Sequence, residues 1–173
     1  MSLRNAVGKQ FTSIEKDMKN GTVVDDLDLK ILKLLQSDAK LTAKNLGDRI
    51  ALSQTPVYER IKKLERNGVI KKYVALLEPK KLNKSLVVFM NITIREHAIG
   101  SRDLAIQQIT SLDEVTEFFH TSGQFDFVAK VRVSKVSDYR DFLVEKMTII
   151  DNIKKIESHI VLEEIKYSTS LNT

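Results

Sequence analysis

The sequence predicts an α+β protein built from two modules. Three short helices and a basic strand come first, followed by a β-α-β-β-α-β run. Three observations carry this prediction. Apolar residues recur at helical spacing up to about Gly68, whereas after Pro79 branched and aromatic residues alternate as they do in strands. The chain has 173 residues, enough for one medium domain or two small ones. The positive charge is uneven: Leu27 to Lys72 holds eleven Lys and Arg against five Asp and Glu. That local balance of +6 exceeds the +5 of the whole chain. Charge gathered in one module is what a polyanion-binding domain requires, although a solvated surface would carry it too.

The first helix starts in "VDDLDLKILKLLQSDAK". Leu27, Ile31, Leu34 and Leu35 form its apolar stripe, and Asp25, Asp26 and Asp28 suit the unpaired N–H groups of its first turn. In "LTAKNLGDRIALS", Thr42 is a natural N-cap, and Ala43, Leu46 and Ile50 share one face of a short second helix. "ALS" then turns the chain, and Ser53 is placed to cap a third helix. Pro56 falls in that helix's first turn, where a missing N–H costs nothing. Val57, Ile61 and Leu64 make its core stripe. At 100° per residue, Thr55, Glu59, Lys62 and Arg66 lie near the opposite pole, flanked by Tyr58 and Lys63. Gly68 is a helix stop. "VIKKYVALLEP" reads as a strand pair, or wing, that ends before Pro79.

This is a winged helix-turn-helix pattern with its third helix sized for the major groove of DNA. The predicted DNA-facing residues are Thr42, Ser53, Gln54, Thr55, Tyr58, Glu59, Lys62, Lys63 and Arg66.

In the second module "SLVVFMNITI" is a strand, and "SRDLAIQQITSL" is a helix capped by Ser101 with Leu104, Ala105, Ile109 and Leu112 inward. "VTEFFHT" and "FDFVAKVRV" are strands around a turn containing Gly123, with Phe127, Ala129, Val131 and Val133 on one face. "SDYRDFLVEKMTII" is a helix capped by Ser137, with Tyr139, Phe142, Leu143, Met147 and Ile150 inward, and "IKKIESHIVLEEIKY" is the last strand. The order is that of a ferredoxin-like sandwich, two helices on one face of an antiparallel sheet. The other face needs a cover, and pairing of two sheets in a homodimer supplies one while presenting two DNA-reading helices.

The stretch "DDLDLKILKLLQSDAKLTAKNLGDRIALSQTPVYERIKKLERNGVIKKYVALLEP" resembles the DNA-binding domain of the Lrp/AsnC family of feast/famine transcription regulators. "HTSGQFDFVAKVRV", "SDYRDFL" and "VLEEIK" resemble motifs of that family's effector-binding, or RAM, domain. The resemblance runs from about Val24 to Ser168. It implies a sequence-specific regulator of double-stranded DNA, a dimer that assembles further to an octamer, and an amino acid or related small molecule as effector. It also implies that the turn Thr121, Ser122, Gly123, Gln124, Phe125 and Asp126 borders the effector cleft. Backbone N–H groups around a glycine turn can receive a carboxylate, and an Asp can pair with an α-ammonium. Read from the residues alone, the same turn is a plain β-turn with Asp126 as a solvated strand start. Two positions depart from the family pattern. Gln124 stands where many members are acidic, which bears on effector polarity. Ala51 stands where many have glycine, an exchange that is free at negative φ and mildly strained otherwise.

The boundaries that follow are 1–23 for an N-terminal extension, 24–72 for the helix-turn-helix, 73–84 for the wing and linker strand, 85–168 for the sandwich and 169–173 for a tail. No apolar run approaches the roughly 18 residues of a membrane span. The N-terminus is too polar for a signal peptide, so a cytoplasmic protein is expected. With no Cys, and with His97, His120 and His159 scattered, neither a metal site nor a cofactor is expected. Adjacent Glu163 and Glu164 point to opposite faces of a strand, and no phosphate loop or nucleophile elbow is present, so no enzyme is expected. The rival reading is an amino-acid-sensing oligomer whose basic domain binds RNA or protein.

Overall fold

The computed structural model describes residues 24–172; the proposed extension 1–23 lies outside the described residues. The described chain divides into two compact units, 24–75 with 168–172, and 76–167. Among the described residues no helix is long and apolar enough to cross a membrane.

The first unit holds α1 (Asp26–Ser37), α2 (Ala43–Ile50) and α3 (Gln54–Arg66). Each stripe supplies a fully buried anchor: Ile31 from α1, Leu46 from α2, and Val57 and Leu64 from α3. Leu41, Ile50, Leu52, Ile61 and Ile70 pack around these, so a small core is shared by all three helices. Asp25 caps α1 through a capping box: its side chain accepts the Asp28 N–H at 2.8 Å, and Asp28 accepts the Asp25 N–H at 3.3 Å. Thr42 caps α2 by accepting the Asn45 N–H at 3.2 Å, as its residue type predicts. Ala51 ends α2 in the left-handed region at φ 58° and ψ 43°, so the strain foreseen for a positive φ is present. Gly68 at φ 71° follows α3, where the Val69 N–H returns to the Leu64 carbonyl.

The predicted wing strand pair is absent from residues 69–78, which carry no ladder. A strand exists only through a partner, and an alternating pattern does not supply one. Val74, Leu76 and Leu77 stay exposed.

In the second unit a 3₁₀ turn (Pro79–Leu82) leads to β1 (Leu86–Ile94), α4 (Ile99–Thr110), β2 (Val115–His120), β3 (Phe127–Val133), α5 (Val136–Phe142) and β4 (Ile153–Ile160). The antiparallel sheet has the order β2-β3-β1-β4, which places the two sequence-distant strands β1 and β3 at its centre. Val88, Met90, Ile92 and Ile94 of β1 and Phe127, Ala129, Val131 and Val133 of β3 point to the helices, as alternation foretold for β3. A single π-helical turn, Leu143–Met147, prolongs α5 and delivers Met147 and Ile150 into that core.

Several local expectations are corrected. α4 begins after Ala98 and α5 after Lys135, so Ser101 and Ser137 sit inside the first turns and are not caps. Ser101 instead donates to Glu96 at 3.2 Å. Leu104 is exposed; Ala105 and Ile109 hold α4 to the sheet with Ile106. With Ile106 on the packed side in place of Leu104, the inward face of α4 is rotated from the one a helical projection assumes. β4 ends at Ile160, short of the predicted strand end; one further bond, from the Val161 N–H to the Val87 carbonyl at 2.9 Å, closes its pairing with β1.

Candidate DNA interface and ligand turn

The apolar contacts of Val57 and Leu64 fix which side of α3 faces away from the core. Gln54, Thr55, Tyr58, Glu59, Lys62 and Arg66 are exposed, and Tyr58 keeps half of its surface open. Ser53 occupies the N-cap position with extended φ and ψ, but its side chain makes no capping bond, contrary to its expected role. Pro56 stands in the first turn of α3, where the missing donor leaves nothing unpaired. Thr42 is exposed, and its hydroxyl is engaged with Asn45.

The cations on α3 divide. Lys62 reaches Glu65 at 2.8 Å and lies 5.6 Å from the Tyr58 ring centroid, close enough for a cation–π contact. Tyr73 donates to the other Glu65 oxygen at 3.1 Å. The Glu65 carboxylate raises the Lys62 pKa, and the ammonium lowers that of Glu65. Burial, then the bond to Glu65, pushes the Tyr73 phenol up. Lys63 is half-buried and leans the other way, its Nζ 3.7 Å from Asp28 Oδ2.

Sequence reasoning missed Arg60 and Asp28. Asp28 is fully buried, and Arg60 Nη1 donates to Asp28 Oδ1 at 2.7 Å and to Asp25 Oδ2 at 2.6 Å. The backbone N–H of Asp28 and then Arg60 hold the Asp25 carboxyl below its ordinary pKa, and the two carboxylates raise that of Arg60. The Asp-x-x-Asp spacing was the available signal, because a capping box turns its second carboxylate back toward the helix start.

In the second unit the β2–β3 turn is braced from below. Its Thr121 N–H donates to the Asp126 carbonyl at 3.0 Å, and the Thr121 hydroxyl to that of Phe125 at 3.1 Å. Asp126 Oδ2 accepts the Ile94 N–H at 2.9 Å, tying the turn to the end of β1, while Oδ1 lies 3.8 Å from His97 Nδ1. Ser122, Gly123 and Gln124 are exposed above this brace, with Gly123 at φ 125°. His120 packs its ring against Phe127 at 5.1 Å, and His159 lies beside Asn91. Among the described residues no group of three His, Asp or Glu is arranged to hold a metal ion.

Comparison with known proteins now places this geometry. A family profile described as winged helix-turn-helix DNA-binding matches residues 24–71, and the Lrp/AsnC ligand binding domain matches residues 87–171. The chain belongs to the Lrp/AsnC family. The leucine-responsive regulatory protein of Escherichia coli K12 is 35% identical over 158 residues, which is 91% of this chain and 96% of that protein. The crystal structure of an AsnC family transcriptional regulator from Agrobacterium tumefaciens superposes with a TM-score of 0.82 at 36% identity, covering 86% of this chain and 96% of the other. A transcriptional regulator from Neisseria meningitidis, solved in complex with L-Met, gives 0.83 at 31% identity over 87% and 97% of the two chains. This Lrp/AsnC member is therefore a DNA-binding transcriptional regulator and not an enzyme, with a helix-turn-helix unit and a ligand-binding α+β unit.

Proposed function

We propose that α3 reads double-stranded DNA through Gln54, Thr55, Tyr58 and Glu59, while Lys62 and Arg66 meet phosphate. The observation that carries this is the division of α3 into a buried apolar side, Val57 and Leu64, and an exposed polar side bearing those residues. Thr42 and Ser53 stand at the N-terminal ends of the two helices of the motif, where backbone N–H groups favour phosphate.

The effector is an amino acid, as in the L-Met complex of the Neisseria meningitidis relative. It meets Thr121, Ser122, Gly123, Gln124, Phe125 and Asp126, and its ammonium faces the Asp126 carboxylate. That turn is open surface in one chain, so enclosing a ligand takes a second surface. Assembly supplies it: homodimers form through the sheet face carrying exposed Phe89 and Phe119 and build further to octamers. Binding of the effector shifts assembly or DNA affinity in the cytoplasm.

The test is titration of a duplex selected from a random library by the protein itself, beside a scrambled duplex, across a range of salt. The selected duplex should win by orders of magnitude at equal salt. Tyr58→Ala should change the preferred sequence, costing about 1–3 kcal/mol at the affected base. Equal binding of both duplexes by the unaltered protein would end the reading. For the ligand turn the informative change is Asp126→Asn, which keeps an acceptor for the Ile94 N–H and removes the charge. It should leave a folded assembly deaf to amino acids; an intact response would take Asp126 out of the site.

A further inference from the structure

Asp28 is the one fully buried charged residue among those described, and it lies under the helix proposed to read DNA. A buried carboxylate is tolerated only when its oxygens are bonded and its charge is opposed. α3 opposes the charge and bonds one oxygen, and the start of α1 bonds the other. Arg60 Nη1 sits 2.7 Å from Oδ1, and Lys63 Nζ sits 3.7 Å from Oδ2, an ion pair too long for a direct hydrogen bond. Oδ2 also accepts the Asp25 N–H, and Arg60 extends to Asp25, so the capping box of α1 and two cations of α3 form one cluster.

Apolar packing by Val57 and Leu64 holds α3 to the core without direction, whereas a guanidinium bridging two fixed carboxylates has one geometry. The distinction matters for base reading. On a helix about 10–12 Å across, a 20° rotation carries a surface group by about 2 Å, enough to break a hydrogen bond. Resting on the assignment of α3 as the reading helix, we propose that Asp28 is a positioning residue for sequence recognition. It draws Arg60 and Lys63 inward to fix the rotation of α3 and so withdraws both cations from phosphate. Of the basic residues on α3, Arg66 and Lys62, whose partner Glu65 is not buried as Asp28 is, remain for the nucleic acid backbone.

The experiment measures affinity for the selected and the scrambled duplex against salt, with the full chain and its variants. Each phosphate contact contributes about 0.9 to the slope of log affinity against log salt. Lys63→Met should leave that slope and scrambled-duplex affinity unchanged, and lower the selected-to-scrambled ratio by about fivefold, the size of a weakened base contact. Asp28→Asn should lower the ratio as well, yet tighten scrambled-duplex binding and steepen the slope by about one to two as the freed cations reach phosphate. A merely structural role would weaken both duplexes together. A slope flattened by about one in Lys63→Met, or an unchanged ratio in that variant, overturns the inference even if Asp28→Asn fails to fold. Weaker scrambled binding by folded Asp28→Asn overturns it too. A wild-type protein that binds both duplexes alike overturns the reading helix itself, and this inference with it.

Discussion

Two of the turns among the described residues, one in each unit, bend the chain through positive φ and assign that burden to different residues. Between α2 and α3 it falls on Ala51, at φ 58° and ψ 43°; between β2 and β3 it falls on Gly123, at φ 125°. The first value lies in the small left-handed basin that L-residues enter at a cost, and the second lies outside any basin open to a side chain. The helix-turn-helix does use a glycine, but four residues earlier. A Cβ on Gly47 would stand 2.4 Å from the Leu52 carbonyl oxygen, and the Leu52 N–H donates to the Gly47 carbonyl at 3.0 Å. Glycine thus stands where no alternative exists: for contact in one turn, for conformation in the other. Alanine is left where the cost is small.

The largest effect expected from breaking this arrangement is at Gly47. In Gly47→Ala the clash is with the backbone of Leu52 just before α3, so α2 and the start of α3 must move apart and loosen the packing of Leu46 and Val57. A loss of about 3 kcal/mol in the first unit is expected from such overpacking. Thermal melting should show the first unit unfolding early while the second keeps its transition. A first-unit melt within about 0.5 kcal/mol of the parent would mean that the turn relaxes freely. Next comes Gly123→Ala. Nothing lies within 4 Å of a Cβ there, so the whole cost is conformational, about 2 kcal/mol on the second unit. Since the turn is braced by Thr121 and Asp126, it cannot relieve that strain by drifting. An unaltered second transition would show that the hairpin accepts another turn geometry.

These positions also mark what the sequence made legible. Periodicity located every helix of the first unit and the inward face of β3, because burial follows a face once the element is set. The cap at Thr42 was legible because a capping bond spans three residues. Ser101 and Ser137 misled for the converse reason: their type favours a cap, but the chain entered each helix earlier. The wing failed because its partner strand is not encoded within the segment. The Asp-x-x-Asp spacing could have shown the capping bond of Asp28, but not its burial, since an Asp in a first helical turn reads as solvated until a distant Arg60 is placed over it. Lys63 lay at the edge of the outward face in projection, and only that same cluster shows it leaning inward. The β2–β3 turn was located by the strand patterns on either side of Gly123, and its role beside a ligand came from the family resemblance; its brace through the Ile94 N–H was not legible from spacing.

The smallest effect sharpens the comparison most, because it has the opposite sign. Ala51→Gly removes a side chain from a left-handed position that costs an L-residue about 1–2 kcal/mol. It also gives the unfolded chain more freedom to lose, worth roughly 0.5–1 kcal/mol against folding. The net should be a gain of about 0.5 kcal/mol in the first unit, and the Ala51 N–H can still reach the Gly47 carbonyl that it caps. The matched control is Ala51→Val, where branching at Cβ makes the same φ harder to hold and the sign should reverse. Chemical denaturation can resolve the two variants, because their midpoints should move in opposite directions at unchanged slope. If Ala51→Gly instead destabilises, the left-handed residue is not carrying strain, and the contrast with Gly123 reduces to steric space alone.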